Sequence, residues 1–355
     1  MNMQLRRSAV AASMALCLSA SAQTTEYPWQ VEEVAAGVFA FLQPQERRFD
    51  DSNTLVVIGP SDVVVVDSQS DRRATGAIID WIREHTDAPV RTVINTHWHS
   101  DHTQNNVLYR SAFGEDVEFM GHTSLGEDIV ERAAASVQER VEYFDTELPG
   151  ARERLERGVF RDGSEMSDED RGEQRATIIQ AEAWLQENRD LQWILPNRPY
   201  GLRQRLRRAG QTIELIHFGG HTRGDTVVWL PEAEVVATGD LVDDMPYAGH
   251  SYPKGWVAAL ERIADLGAAA IVPGHGTVFR DQTKLEAIAD FLDSLVQQAG
   301  AAAERGDDLE TTIASIDLSP ARAALASDAM SGNFFDQVLP EAIERAWLEA
   351  RGEIE

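Results

Sequence analysis

"NTHWHSDHTQNN", residues Asn95 to Asn106, places His97, His99, Asp101 and His102 within six consecutive positions. His97 and His99 are two apart, so on extended backbone both imidazoles project to one side and can share one cation. Asp101 and His102 then turn toward a second position close by. Neutral imidazole and carboxylate are the donors that a borderline divalent ion such as zinc prefers, about four per ion. Four donors fall short of two complete sites, so the motif predicts further ligands elsewhere in the chain.

The flanking sequence says where the cluster sits. "VRTVINT" (90–96) reads as a buried strand running straight into it, which puts the cluster at the carboxyl edge of a sheet, where α/β folds usually place ligands. Upstream, from Glu32 to Asp67, "GVFAFLQ", "NTLVVIG" and "VVVVD" are β-branched runs, the last two joined through Gly59-Pro60-Ser61-Asp62 as a hairpin. "DRRATGAIIDWIREHT" carries Ala77, Ile78, Trp81 and Ile82 at helical spacing.

Downstream come a short helix, a strand "DVEFMG", and a charged, mostly helical stretch over about 124–190 that interrupts the rhythm. It is read as an insertion covering one side of the site. A second β-rich block follows, "QTIELIHFGG", "DTVVWLP" and "EVVATGD", then a helix from about Gly255 to Leu266 and a strand "AAIVPGHG". Residues 282–355 read as a helical extension packed on the domain, with Leu285, Ile288, Phe291 and Leu295 on one face. Residues 23–281 are taken as one domain.

The missing ligands appear at the strand ends of that second block. His221 in "FGGHTRGD", Asp240 in "ATGD" and His275 in "VPGHG" each stand beside glycine, which lets the backbone turn tightly enough to present them. Asp67 and Asp225 are candidates to orient ligand imidazoles, with turn capping as the alternative. His85, His122 and His217 read as packed or surface histidines. "DDMPYAGHSYPKGW" follows Asp240 directly, so Tyr247, His250 and Tyr252 are candidates for substrate contact.

The chain has 355 residues, 43% of them apolar, and a formal charge of −27. That charge opposes a nucleic-acid partner, because phosphate binding wants a basic surface, and no apolar run reaches the roughly 20 residues of a membrane span. Residues 1–22 read as a secretion signal: Arg6 and Arg7, an apolar stretch from Ala9 to Leu18, then small residues before cleavage after Ala22. A periplasmic or secreted location is therefore expected. The only cysteine, Cys17, lies in that segment. Oligomeric state is not legible.

Together, "HWHSDH", His221, Asp240 and His275 closely resemble the metallo-β-lactamase superfamily of hydrolases, over about Glu32 to Phe279. The resemblance implies an α/β fold, an αββα sandwich with a helical insertion and a helical C-terminal extension, and a dinuclear metal site at one edge. It implies His97, His99 and His221 around a first metal, Asp101, His102 and His275 around a second, and Asp240 bridging. Two zinc ions are expected, the same donors also accepting manganese or iron. Such a pair would make a shared water nucleophilic near neutral pH and polarise the scissile carbonyl, with Asp101 as the catalytic residue orienting that water.

The expected activity is hydrolysis of a cyclic amide or ester in a small-molecule substrate, with a β-lactam placed first by compartment. A lactone, thioester or other carboxylic or phosphoric ester is the alternative. Secreted β-lactamases of the commonest type carry a cysteine where Asp240 stands and a lysine where Asp243 stands. An acidic Asp243 would repel a drug carboxylate unless another cation such as Lys254 took the lysine's role. A non-catalytic metal-binding protein, the reading from another class, would be expected to have lost at least one ligand, and none is missing.

Overall fold

A computed structural model describes residues 27–354. The expected signal segment, 1–22, lies outside the described residues.

Two sheets pack face to face. The first has six strands in sequence order, β1 (Gln30–Ala35), β2 (Val38–Leu42), β3 (Thr54–Ile58), β4 (Val63–Val66), β5 (Val90–Ile94) and β6 (Glu118–Met120). Its first four strands are antiparallel, and β5 and β6 continue parallel to β4. The hairpin expected at Gly59 to Asp62 is present, Ile58 pairing with Val63. The second sheet contains β7 (Arg203–Arg208), β8 (Gln211–His217), β9 (Thr226–Leu230), β10 (Val235–Gly239) and β11 (Ala270–Pro273), in the order β11-β10-β9-β8-β7. Only β10 and β11 run parallel there.

Continuous apolar strands of this kind fit a sheet covered on both faces. Leu55, Val57, Val64 and Val66 point between the sheets, against Ile213, Leu215, Val228 and Val235. Their neighbours Val56, Val63 and Val65 point outward. That outer face is covered by α1 (Arg72–His85), through Ile78, Ile79 and Ile82. The motif then forms the one-turn α2 (Ser100–Thr103), and α3 (Asn106–Phe113) returns to the same layer with Tyr109.

The insertion is helical as expected: α4 (Leu125–Asp128), a π-helical segment Ile129–Ala134, α5 (Ala135–Arg157) and α6 (Asp168–Asn188). The last two pack on each other through Val141, Leu148, Ile178 and Leu185.

The other outer face is covered by α7 (Pro253–Ala264), and by the C-terminal helices α8 (Thr283–Arg305), α9 (Leu309–Ser315), α10 (Ser319–Leu325) and α11 (Ala329–Ala350). Helix α7 begins two residues before the expected Gly255 because Pro253 suits the first helical position, where no N–H is required. Leu285, Ile288, Phe291 and Leu295 of α8 share one core with Trp256 and Ile263 of α7 and Val227 and Val236 of the sheet. The result is a four-layer αββα sandwich whose extension is continuous with its core. Among the described residues, no helix is long and apolar enough to cross a membrane.

Candidate metal centre

The seven sequence-derived donors meet at the edge of the sandwich where β5, β10 and β11 end. Asp240 is their hub. Its carboxylate lies 3.4 Å from His97 Nε2, 3.9 Å from His99 Nδ1 and 3.8 Å from His221 Nε2. On the other side, it lies 3.1 Å from His102 Nε2 and 3.7 Å from His275 Nε2. Asp101 Oδ2 stands 3.1 Å from His275 Nε2 and 3.5 Å from His102 Nε2. Three overlapping groups result, His97, His99, His221 with Asp240, then Asp101, His102, His275, and Asp240, Asp243 with His275.

Local structure explains how these atoms come so close. Gly274 lets β11 end against Asp240: a Cβ there would stand 2.0 Å from Asp240 Oδ1 and 2.9 Å from the Gly239 backbone. Asp67, at the end of β4, adopts a left-handed φ of 65° that a non-glycine residue rarely takes without a reason. Its carboxylate accepts from Thr96 N and Thr96 Oγ1, and lies 2.8 Å from His102 Nδ1. That contact aims His102 Nε2 at Asp240, the orienting role expected for Asp67. Asp225 instead caps its own turn, accepting from Thr222 N and Oγ1 at 2.7 Å. At 3.6 Å it is too far from His221 Nδ1 for a good hydrogen bond.

His97 Nε2, His102 Nε2, His221 Nε2 and Asp240 Oδ1 are all buried without a hydrogen-bond partner. Buried polar atoms are rarely left so. Four of them facing one another form a cradle that fits divalent cations.

The electrostatics agree. Burial lowers His97, His99 and His221, the last to about 3, and so keeps these imidazoles neutral, the form in which they could ligate. Burial also opposes charge on His102 and His275. Asp240, aided by Asp67 and Asp101, nevertheless holds His102 well above its usual range, and Asp240 and Asp101 bring His275 to about 10. Those protons offset the same negative charge that a bound cation would balance.

Of the candidates for substrate contact, Tyr247 lies over the cluster, its ring 6.0 Å from that of His99 and its hydroxyl donating to Glu341 of α11 at 2.7 Å. His250 is partnered with His99, Nδ1 to Nε2 at 2.9 Å. Tyr252 turns away and packs beneath the Arg345 guanidinium, 5.1 Å from its ring centre. His85 stacks on Trp81, and His122 on His217, both apart from the cluster.

Three adjoining cavities of about 140, 450 and 710 Å³ open on the donors, and Asp101 lines all of them. The smallest lies over Asp240 and His275 and is lined also by Phe49, Met245 and Phe334. The others run along the insertion, past Trp98, Arg132, Ser136, Arg140, Tyr143 and Trp184. Insertion and extension thus both wall the cleft. The sequence carries no motif for these wall residues, which reach the site only through packing.

Asp243 is buried and accepts a hydrogen bond from His275 N at 2.8 Å. Lys254 is exposed on α7 and lines none of the three cavities, so it does not supply the cation missing at Asp243.

The sequence profile of the metallo-beta-lactamase superfamily matches residues 47–118, the segment that contains "HWHSDH". The chain resembles that superfamily over this segment. Among solved structures it resembles a metallo-beta-lactamase from Pontibacter korlensis, at 17% identity and a TM-score of 0.51, over 75% of this chain and 99% of that one. It also resembles a double mutant of the sec-alkyl sulfatase PisA1, at 14% identity and a TM-score of 0.60. That match takes in 91% of this chain, leaving out fewer residues than either helical addition contains, and 50% of the sulfatase. At such identities the likeness is one of fold. These two fold neighbours are hydrolases of different kinds, a metallo-beta-lactamase and a sec-alkyl sulfatase.

Proposed function

We propose that the protein is a secreted hydrolase of small-molecule esters or cyclic amides that works with two divalent ions, zinc in the first place and manganese or iron by the same donors. The observation that carries this reading is the convergence of five imidazoles on the Asp240 carboxylate, all within 3.1 to 3.9 Å. His97, His99 and His221 would hold one ion, Asp101, His102 and His275 the other, and Asp240 both. When bound, the ions would supply Lewis acidity at the substrate's carbonyl oxygen and lower the pKa of a shared water.

The chain's own residues do the rest. Asp101 is the donor carboxylate that faces all three adjoining cavities, and although burial opposes its charge, His102 and His275 keep it ionised. It is therefore placed to orient the attacking water and take up its proton. Phe49, Met245 and Phe334 line the small cavity over Asp240 with apolar surface, and a lower local dielectric strengthens these interactions. The long arm of the cleft accommodates a substrate that extends well beyond its scissile bond.

A β-lactam remains one form of cyclic amide in this reading. The inward Asp243 and outward Lys254 favour a carboxylic ester or lactone, since neither offers a clamp for a drug carboxylate beside the ligands. The secreted location rests on Arg6, Arg7 and the apolar stretch after them.

Turnover of a chromogenic cephalosporin, a lactone, an alkyl sulfate and a phosphodiester by zinc-loaded protein, each with and without chelator, tests the proposal. Ester, lactone or cephalosporin cleavage that chelator abolishes is the expected result. Bound zinc with no chelator-sensitive turnover of any of the four would overturn it in favour of a metal-binding protein.

A further inference from the structure

Arg48 is almost fully buried, at 1% exposure, and satisfies its guanidinium entirely from protein groups. Nε donates to Asp244 Oδ2 at 2.9 Å, and Nη1 to the Gln45 carbonyl at 2.7 Å. Nη2 donates to both carboxylate oxygens of Asp328, at 2.8 and 2.9 Å. Asp328 is the N-cap of α11, where it also accepts from Ser331 N. The residue next to Arg48 repeats the link, Phe49 stacking on Phe334 of α11 at 4.8 Å. A fork of five donors suits such a junction, whereas a lysine would offer only a point charge.

The same residue reaches the cluster through its backbone. The Arg48 carbonyl accepts a hydrogen bond from His275 Nδ1 at 3.0 Å, which directs Nε2 toward Asp101 and Asp240. Asp244, held by the Arg48 side chain, donates its backbone N–H to the His275 carbonyl at 3.1 Å. Its close fit is enforced at Gly276, which has φ +93° and where a Cβ would meet Asp244 Cβ at 2.6 Å. His275 is therefore gripped from two sides by groups joined to one guanidinium, with Lys284 of α8 also holding Asp244 through its carbonyl at 2.9 Å. That guanidinium is in turn anchored by the C-terminal extension, 280 residues away in sequence.

We propose that Arg48 is a positioning residue, tying the start of α11 to His275 so that the C-terminal extension holds this imidazole in its ligating orientation. The inference rests on the reading of His275 as a ligand of the second ion. It assigns the extension a role in the site beyond covering the sheet. A hydrogen-bond partner of a metal-ligating histidine is commonly worth about 10- to 100-fold in metal affinity.

The test is cobalt(II) uptake by the full chain, followed by d–d absorption and by stoichiometry, in the natural sequence, Arg48→Met and Asp328→Asn. Asparagine keeps the helix cap but removes the anion. Two cobalt ions are expected in the natural protein. In Arg48→Met one of the two should bind about 10- to 100-fold more weakly while the other is unchanged, and Asp328→Asn should weaken that same ion in the same direction. Near-UV circular dichroism reports whether each variant is folded, and Asp328→Asn decides alone if Arg48→Met is not. Unaltered affinity for both ions in a folded variant would overturn the inference, as would equal weakening of both with a lowered Tm, which marks a purely structural role. Fewer than two ions in the natural protein would instead overturn the dinuclear reading itself.

Discussion

His99 and His250 form an imidazole pair across the mouth of the cluster, Nε2 to Nδ1 at 2.9 Å. His99 faces Asp240 with its other nitrogen, Nδ1, so with Nδ1 taken up by an ion its Nε2 would carry the proton and donate to His250. His250 must then be a neutral acceptor. Burial, and next the neighbouring His99, lower it to about 3 and keep it so. Trp98 packs against both rings, at 4.4 and 5.0 Å.

His250→Leu removes the acceptor that fixes the His99 tautomer. It should weaken the ion held by His97, His99 and His221 by about tenfold or more, leaving the ion beside His275 unaffected. His250→Gln, which keeps an acceptor oxygen, should recover part of that loss. Competition with a chromogenic chelator measures each affinity. Equal affinity in Leu and natural proteins would mean that the pair is incidental.

Asp101→Asn preserves shape but removes the charge that faces the cavities. Turnover of the best substrate should fall by about 10²- to 10⁴-fold, the usual range for losing a positioned acid–base group. The Tm should change little, because Asp101 reaches the cavity rather than the core. A variant retaining a tenth of natural kcat would rule out the assigned role.

The donor set was legible because its chemistry is local. Four candidate donors fall within six positions, and the other three each follow an apolar run beside glycine, so strand endings alone brought them to one sheet edge. The walls of the cleft were not legible. Arg48 meets Asp328, and Tyr247 meets Glu341, across separations of 280 and 94 residues that no sequence period reports. Strands β1 and β7 also escaped the sequence reading. "QVEEVA" and "RQRLRR" have too few apolar residues for alternation to show, since both lie at sheet edges. The arginines of β7 are matched instead by Glu214 on the neighbouring β8 and by Glu232 in the turn between β9 and β10. Tyr252 was expected near substrate because it follows Asp240 closely, but the chain has turned into α7 by then.

Arg140 lines the largest cavity, its guanidinium 5.4 Å from the centre of the Trp184 ring, and forms no ion pair among the described residues. The other cavity-lining arginine, Arg132, is already paired with Asp128 at 3.2 Å. Arg140 is therefore the group available to an anionic end of a long substrate. Arg140→Met should raise KM for a substrate with a distal carboxylate by roughly tenfold, in keeping with a hydrogen bond to a charged group. The KM of its neutral methyl ester should not move. Parallel changes in both would show that Arg140 shapes the cleft without reading charge.

His122 stacks on His217 at 3.9 Å, outside the metal cluster, and burial with the neighbouring His217 lowers it to about 4. Its unfolded value is close to 6.5. Between those two values the unfolded chain binds more protons at this position than the folded one, so stability rises with pH there. The contribution is complete above about 6.5 and is lost as pH falls toward 4. Asp128, Arg223 and Asp225 face the pair as well, and His122→Gln removes the titration while leaving them in place. Urea unfolding of metal-free protein at pH 7, 5.5 and 4.5 should therefore show a steeper acid loss of stability in the natural protein than in His122→Gln. A difference between the two proteins that stays constant across the three pH values would show that His122 keeps its ordinary affinity for protons in the fold.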